Sequence, residues 1–301
     1  MASYRSVDKQ VKYCVRQING LGMSRAEAKA AGKVASVRTL ESYKSIFTAV
    51  AHWMHDRRYL DGLHKLTGNQ ALEYLRDRAK VITQKTLDCE TSALRKLTRA
   101  DVVRVVSEFK AERQLAKESR GYTPAQIDAI AARQSPHNAI ATRVAYEGGI
   151  RSFELHSLRA YDGKVGRPEK LVASRFAGKE NWPRYQVTGK GGLVREVRVS
   201  PAIANELEKY RLAQPATVID RKLRIEKHYS IGGGQSWAQS FSDASVRALG
   251  FSSGAHGVRH SFAQQSYETM CLSGFSQRDA KLCTSQLLGH WRPDITNCYL
   301  R

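Results

Sequence analysis

Residues 288–299 read LGHWRPDITNCY, which places Tyr299 nine positions after His290. Arginine, lysine and histidine stand beside glycines in three motifs farther upstream. These side-chain types suit attack on a phosphodiester, because guanidinium groups can neutralise phosphate oxygens while a phenol displaces a sugar oxygen. The upstream motifs are GGIR at 148–151, GKGG at 189–192 and HGVRH at 256–260.

The composition of the chain favours a nucleic-acid partner. Its 301 residues include 49 Lys and Arg against 28 Asp and Glu, which gives a formal net charge of +21. Such an excess favours a polyanion, and nucleic acid is the commonest one. A basic surface that meets anionic lipid, or that only keeps the protein soluble, gives the same charge. Charge alone does not distinguish DNA from RNA.

The cysteines and the N-terminus indicate a cytoplasmic protein without a membrane span. The five cysteines are an odd number and contain no C-x-x-C pair, so neither a zinc site nor a redox motif is indicated. The first residues have no apolar core of the kind that a signal peptide needs, and nowhere do ~18 apolar residues run together. The cysteines are Cys14, Cys89, Cys271, Cys283 and Cys298.

The chain divides into three predicted segments. Residues 1–35 are a basic lead segment, which is either a DNA-binding arm or a solvated arm. Residues 36–115 carry apolar side chains at three- and four-residue steps and predict a small helical domain. Lys110 to Gly121 read as a linker, and a capped helix begins a third segment, 121–301. The apolar stripe of the helical domain includes Leu40, Tyr43, Phe47, Val50 and Met54.

The third segment is expected to contain one small β-hairpin among helices. Tyr185–Val187 and Val194–Val199 read as two strands around the glycine-rich turn, which places Lys190 at the hairpin tip. A helix is expected from Ser200, and the remainder is expected to be mainly helical. The predicted fold class is therefore α+β, mainly α with a small β-hairpin or sheet.

Arg151 and Arg259 are candidates for binding a phosphate, since a guanidinium group can bond two oxygens at once. Alone, either arginine is more often a surface salt-bridge partner. His256 and His260 fall on one face of an expected helix and could bind zinc. The zinc-protease signature needs Glu after the first histidine, where this chain has Gly257. Two helix histidines bonded to neighbouring groups are the alternative.

Tyr299 and Lys190 complete the candidate set. Ionising a tyrosine at neutral pH costs roughly 4 kcal/mol, so a nucleophilic tyrosine needs a neutral histidine or a cationic arginine nearby. The leaving sugar oxygen needs a proton donor, and a lysine on a hairpin tip can supply one. Outside this context Tyr299 is an ordinary core or surface tyrosine and Lys190 a solvated turn residue.

Taken in order, these motifs resemble the boxes of the tyrosine recombinases of the phage-integrase family. The similarity extends over residues 37–301, because residues 39–97 are similar to the family's helical core-binding domain. The resemblance thus implies a core-binding domain followed by a catalytic domain. The matching boxes are the arginine box 149–155 with Glu154, the hairpin lysine at 189–192, the H-x-x-R box at 256–260, and 288–290 followed by Tyr299.

The resemblance implies site-specific recombination of DNA through a 3′-phosphotyrosyl intermediate, without metal or cofactor. A type IB topoisomerase, which relaxes one DNA molecule by the same chemistry, is an alternative. A non-catalytic DNA-binding regulator that kept the fold is another. The implied roles are Tyr299 as nucleophile, Arg151 and Arg259 on the phosphate oxygens, His256 in proton transfer with Tyr299, Lys190 on the leaving oxygen, His290 orienting the phosphate, and Glu154 orienting the site from behind.

The resemblance also implies partners and a location. These are double-stranded DNA attachment sites, a homotetramer on synapsed DNA and an accessory DNA-bending protein, in a cytoplasmic, DNA-associated protein that integrates or excises a mobile element. Only Leu300 and Arg301 follow Tyr299, whereas relatives often have a tail that docks on a neighbouring protomer. This departure indicates a different mode of assembly or a chain that was cut.

Overall fold

The computed structural model describes residues 6–59, 61–109, 119–189, 192–220 and 223–300. By its internal contacts the chain divides into two compact units, Met1–Ala116 and Lys117–Arg301. Most of the expected linker and Lys190 lie outside the described residues. The three sequence-based segment boundaries stay predictions. Within the described ranges, no helix combines the length and the apolar character needed to span a membrane.

The first unit is helical and has one apolar core. Tyr43, Phe47, Val50 and Met54 are buried along α3, at the predicted three- and four-residue steps. Helix α1 adds Val11, Cys14 and Ile18 to the same core, so part of the basic lead segment packs with the helices that follow. The helices are α1 (Val7–Ile18), α2 (Arg25–Ala30), α3 (Val37–Asp56), α4 (Gly68–Ala79) and α5 (Gln84–Thr98).

The second unit surrounds a small antiparallel sheet with helices. Strands β1 (Arg159–Ala160), β2 (Arg184–Thr188) and β3 (Val194–Arg198) pair in that order, and β2 with β3 form the predicted hairpin. Tyr185, Val187 and Val197 are buried against the helices. The helices are α6 (Pro124–Ala131), α7 (Pro136–Gly148), α8 (Pro201–Glu208), α9 (Gly234–Leu249), α10 (Gly257–Leu272) and α11 (Gln277–Leu287), followed by the 3₁₀ helix Pro293–Cys298.

A second hairpin corrects the expectation that the chain is mainly helical after Ser200. Strands β4 (Arg211–Asp220) and β5 (Leu223–Tyr229) pair in an antiparallel arrangement, with an irregularity between Arg211 and Ala216. Most of their side chains are exposed or half-buried on both faces. The apolar alternation that reveals a half-buried strand is therefore missing from this sequence.

Gly149 ends α7 in the left-handed conformation, with φ of 57°. A Cβ atom at this position would lie 2.3 Å from the ring of Phe262. We expect Gly149→Ala to lower the free energy of unfolding by more than backbone strain alone, which costs about 1–2 kcal/mol. The matched control is Gly163→Ala, because Gly163 has φ of 88° and no atom within 4 Å of the added Cβ. Urea denaturation of both variants measures the difference, and equal losses would contradict the expectation.

Candidate active site

Four segments of the second unit bring the candidate side chains together. Gly149 turns the chain after α7 and leads to Arg151. His256 directly precedes α10, which carries Arg259 in its first turn. His290 follows the end of α11, and the 3₁₀ helix Pro293–Cys298 then leads to Tyr299.

The two candidate arginines share one acceptor. Arg259 is 1% exposed and donates hydrogen bonds to the carbonyl oxygens of Gly149 and Leu288, the latter at 2.9 Å. Arg151 donates to the same Leu288 oxygen at 3.3 Å and keeps 29% of its side chain exposed. The two guanidinium groups are therefore neighbours, with Arg259 held below the surface and Arg151 open to solvent.

Glu154 lies behind these arginines and is 1% exposed. Its carboxylate accepts hydrogen bonds from the Arg151 and Arg195 side chains, and Arg259 Nη1 lies 4.0 Å from its Oε2 atom. Burial alone would raise the pKa of this carboxyl, but Arg195, Arg259 and Arg151 together hold the pKa below its usual range. Three guanidinium groups around one carboxylate leave an excess of two positive charges, which suits an anion.

Tyr299 lies among the histidines and is 5% exposed. Its hydroxyl group is 3.4 Å from His256 Nε2, and its ring centroid is 5.9 Å from Arg259 Cζ. The ring of His260 is also close, with its centroid 4.9 Å from that of Tyr299. A neutral imidazole at this position could accept the phenolic proton.

The histidine pKa values favour that neutral form. Desolvation, followed by the positive charge of Arg259, lowers the pKa of His256 to about 4. The pKa of His290 is also lowered to about 4, by desolvation and then by Arg259 and Arg151. His290 Nε2 lies 3.3 Å from Arg151 Nη2, where a neutral ring nitrogen can accept a hydrogen bond.

These shifts predict how stability depends on pH. An ordinary histidine has a pKa of about 6.5 in the unfolded chain. Below that pH, His256 and His290 become protonated in the unfolded state but stay neutral in the folded state. The melting temperature of the DNA-free protein should therefore fall as the pH drops from about 6.5 towards about 4. Replacing either ring, as in His256→Gln or His290→Gln, should flatten this dependence.

Calorimetry across this pH range compares the two variants with the wild-type chain. If the melting temperature of both His256→Gln and His290→Gln depended on pH as steeply as that of the wild-type chain, the expectation would be contradicted.

The environment of the histidines is unfavourable for a cation, since guanidinium groups surround them. Across the described ranges, no three His, Cys, Asp or Glu side chains are grouped as metal ligands. The resemblance in the sequence implies no cofactor for this site.

Lys190 lies outside the described residues, so its place in the site stays a prediction. The base of its hairpin is described, and the backbone N–H of Gly189 donates to the Leu193 carbonyl at 2.7 Å. A Cβ atom on Gly189 would be 3.0 Å from Glu154 Oε1. The hairpin therefore begins against the carboxylate that Arg151 contacts.

Arg195 is the residue at this site that sequence analysis missed. It lies on β3, is 7% exposed and donates to Glu154 Oε2 at 2.7 Å. One signal was present in the sequence. Arg195 alternates with Val197 and Val199, so it falls on the inward face of the strand, where an unpaired charge would be costly.

A scan against protein-family models and a search of curated proteins find no match for this chain. Solved structures do match. The chain is 12% identical to the XerH site-specific recombinase bound to palindromic difH substrate, with a TM-score of 0.56 over 98% of this chain and 90% of that one. It is 16% identical to a lambda integrase(75-356) dimer bound to a COC′ core site, with a TM-score of 0.54 over 97% and 94%.

At these identities the similarity establishes the fold. The chain has the α+β fold of the tyrosine recombinases, as the resemblance in its sequence predicted.

Proposed function

We propose that this protein is a site-specific DNA recombinase that cuts and rejoins DNA through a 3′-phosphotyrosyl link to Tyr299. The observation that carries the proposal is the position of the Tyr299 hydroxyl, 3.4 Å from His256 Nε2 and beside the guanidinium group of Arg259. The fold supports it, because XerH bound to difH and lambda integrase bound to a COC′ site share that fold.

The reaction begins with the phenol. His256 accepts the proton of Tyr299, and the phenolate oxygen attacks the phosphorus atom of the scissile phosphate. The new bond joins phosphorus to the tyrosine oxygen, and the bond to the 5′ oxygen of the next nucleotide breaks. That oxygen takes up a proton, a role assigned to Lys190.

The positive excess at the site stabilises the charge that develops during this step. A pentacoordinate phosphorus carries more negative charge on its non-bridging oxygens than the starting diester does, and guanidinium donors fixed in place respond without reorganising. Desolvation and then the positive field of Arg259 and Arg151 lower the pKa of both histidines, and negative charge arriving with the phosphate offsets that field. DNA binding should therefore make His256 a better proton acceptor.

The second step reverses the first with a different strand. A free 5′ hydroxyl group attacks the phosphotyrosyl ester, which reforms a phosphodiester and releases Tyr299. One ester replaces another in each step, so the exchange needs no nucleoside triphosphate.

We assign residues 36–115 to a core-binding domain and residues 121–301 to the catalytic domain. The assembly is a homotetramer on two attachment sites, joined by an accessory DNA-bending protein, and the substrate is a mobile element that is integrated or excised. Sequencing of the DNA junctions formed in cells that express the protein tests the element and its sites. Mass measurement of the protein on paired sites tests the stoichiometry.

The decisive experiment uses nicked DNA duplexes of random sequence. A nick beside the scissile phosphate lets the short 5′ fragment diffuse away, so the enzyme remains covalently attached to the DNA. Denaturing gels then separate the covalent complexes, and sequencing the attached DNA identifies the cleavage site. Binding without a covalent product would reject catalysis and favour a DNA-binding regulator. Relaxation of supercoiled plasmids without a paired site would favour a topoisomerase.

A further inference from the structure

The guanidinium group of Arg195 joins three parts of the candidate active site. Its Nη1 atom donates to the Leu287 carbonyl at 2.8 Å, and its Nη2 atom donates to the Gly149 carbonyl at 3.0 Å. Nη2 also donates to Glu154 Oε2 at 2.7 Å. One side chain therefore ties together the end of α7, the end of α11 and the buried carboxylate.

Each of these parts carries or contacts a residue proposed to act on DNA. Gly149 precedes Arg151 by two positions, and its carbonyl also accepts from Arg259. Leu287 precedes Leu288, whose carbonyl accepts from both Arg151 and Arg259. Arg195 itself is 7% exposed and lies behind these two arginines, so it does not face a phosphate.

The charge on Glu154 gives Arg195 a role beyond packing. Arg151 occupies Glu154 Oε1, and Arg195 occupies Oε2. Arg259 Nη1 stands 4.0 Å from that Oε2 atom, just beyond hydrogen-bond reach. The backbone N–H of Arg151 also donates to this Oε2 atom, at 3.0 Å, so Arg195 is its charged donor rather than its whole hydrogen bonding. Without Arg195, a carboxylate that is 1% exposed would lose that charge, and Arg259 would be the nearest cation to replace it.

We infer that Arg195 is a positioning residue: it supplies the charged donor to Glu154 Oε2, so that Arg259 and Arg151 remain available to the scissile phosphate. The inference rests on the proposed function. It assigns Arg195 no contact with DNA and no part in proton transfer. Its loss misplaces the phosphate-binding groups while the nucleophile remains.

The test compares two DNA substrates that differ at one group. Both are the nicked duplex identified by covalent trapping, and one carries a neutral methylphosphonate in place of the scissile phosphate. The neutral group removes the charge that Arg151 and Arg259 are there to offset. For each protein we measure the rate of strand cleavage at saturating DNA. We then divide the rate on the methylphosphonate substrate by the rate on the phosphate substrate. Any unfolded fraction of a preparation cancels in this ratio.

The variants are Arg195→Gln and the conservative Arg195→Lys, with Arg198→Gln as the matched control. Arg198 lies on the same strand and is largely buried, but it pairs with Glu196 rather than Glu154. We expect Arg195→Gln to lower cleavage of the phosphate about 100-fold, the scale of losing a positioned charge donor, and to lower cleavage of the methylphosphonate far less. The ratio of the two cleavage rates for Arg195→Lys should lie between those for Arg195→Gln and the wild-type chain. Arg198→Gln should keep the wild-type ratio.

A wild-type ratio in both Arg195 variants would overturn the inference and leave Arg195 with a folding role only. If Arg195→Gln does not fold, the ratio for Arg195→Lys decides. A wild-type chain that cleaves neither substrate would overturn the proposed function and this inference together. Cleavage by the wild-type chain therefore separates the two failures.

Discussion

Tyr299→Phe is expected to abolish covalent capture of DNA while leaving folding and DNA binding intact. The substitution removes one oxygen atom, and that oxygen is the proposed nucleophile. In the structure its hydrogen-bond partner is His256, at 3.4 Å, so its loss should change the free energy of unfolding by about 1 kcal/mol or less. The ring keeps its packing in the core that includes Phe262 and Leu288. Denaturing gels measure capture, and thermal melting and filter binding measure the two unchanged properties.

The matched control is Tyr267→Phe. Tyr267 is partly buried and packs against the core that contains Tyr299, so the two variants make the same chemical change at one core. Tyr267→Phe should capture DNA at the wild-type rate. Capture by Tyr299→Phe would show that another residue is the nucleophile and would remove the basis of the proposed mechanism.

Loss of either candidate arginine is expected to lower strand cleavage by about 100- to 1000-fold, as removal of a fixed charge donor does. Arg151→Ala should lower stability less than Arg259→Ala does, because 29% of the Arg151 side chain is exposed, but it also takes a donor from Oε1 of the buried Glu154. Arg259→Ala should also lower the free energy of unfolding by about 3–5 kcal/mol, because it removes a buried cation beside the buried Glu154 and takes a donor from each of the Gly149 and Leu288 carbonyls. DNA binding should largely persist in Arg151→Ala.

Arg143→Ala is the control for the exposed member of this pair. Its side chain is 34% exposed and pairs with Glu206 in the same unit rather than with Glu154. Single-turnover cleavage and urea denaturation of the three variants separate lost chemistry from lost stability. Cleavage at the wild-type rate in Arg151→Ala or Arg259→Ala would exclude that arginine from the site.

Much of the fold could be predicted because packing leaves a periodic trace in the sequence. Helix α3 buries Phe47, Val50 and Met54 at helical steps, and Val197 and Val199, which the sequence places on one face of a strand, are both buried. Both patterns arise because one face of the element meets a core. The hairpin of β4 and β5 leaves no such trace, since neither face is consistently buried.

The candidate site was predicted in part for a different reason. Arg151, Arg259 and Tyr299 stand in short motifs with glycines and histidines. A few neighbouring residues are therefore enough to mark them as candidates. Arg195 stands in no such motif, and a charged residue in a short strand is usually read as facing solvent. Its partners are 41 and 92 positions away in sequence, at Glu154 and Leu287. Only the folded chain reveals contacts over that separation.

The oxygen atoms that align the two candidate arginines belong to the main chain, at Gly149 and Leu288. Every amino acid carries such an oxygen. The side chain at position 288 therefore affects this contact only through the backbone conformation that it allows. A substitution there that preserves this conformation leaves both acceptors in place. Sequences can therefore drift widely around this frame while the geometry that it imposes on the guanidinium groups persists.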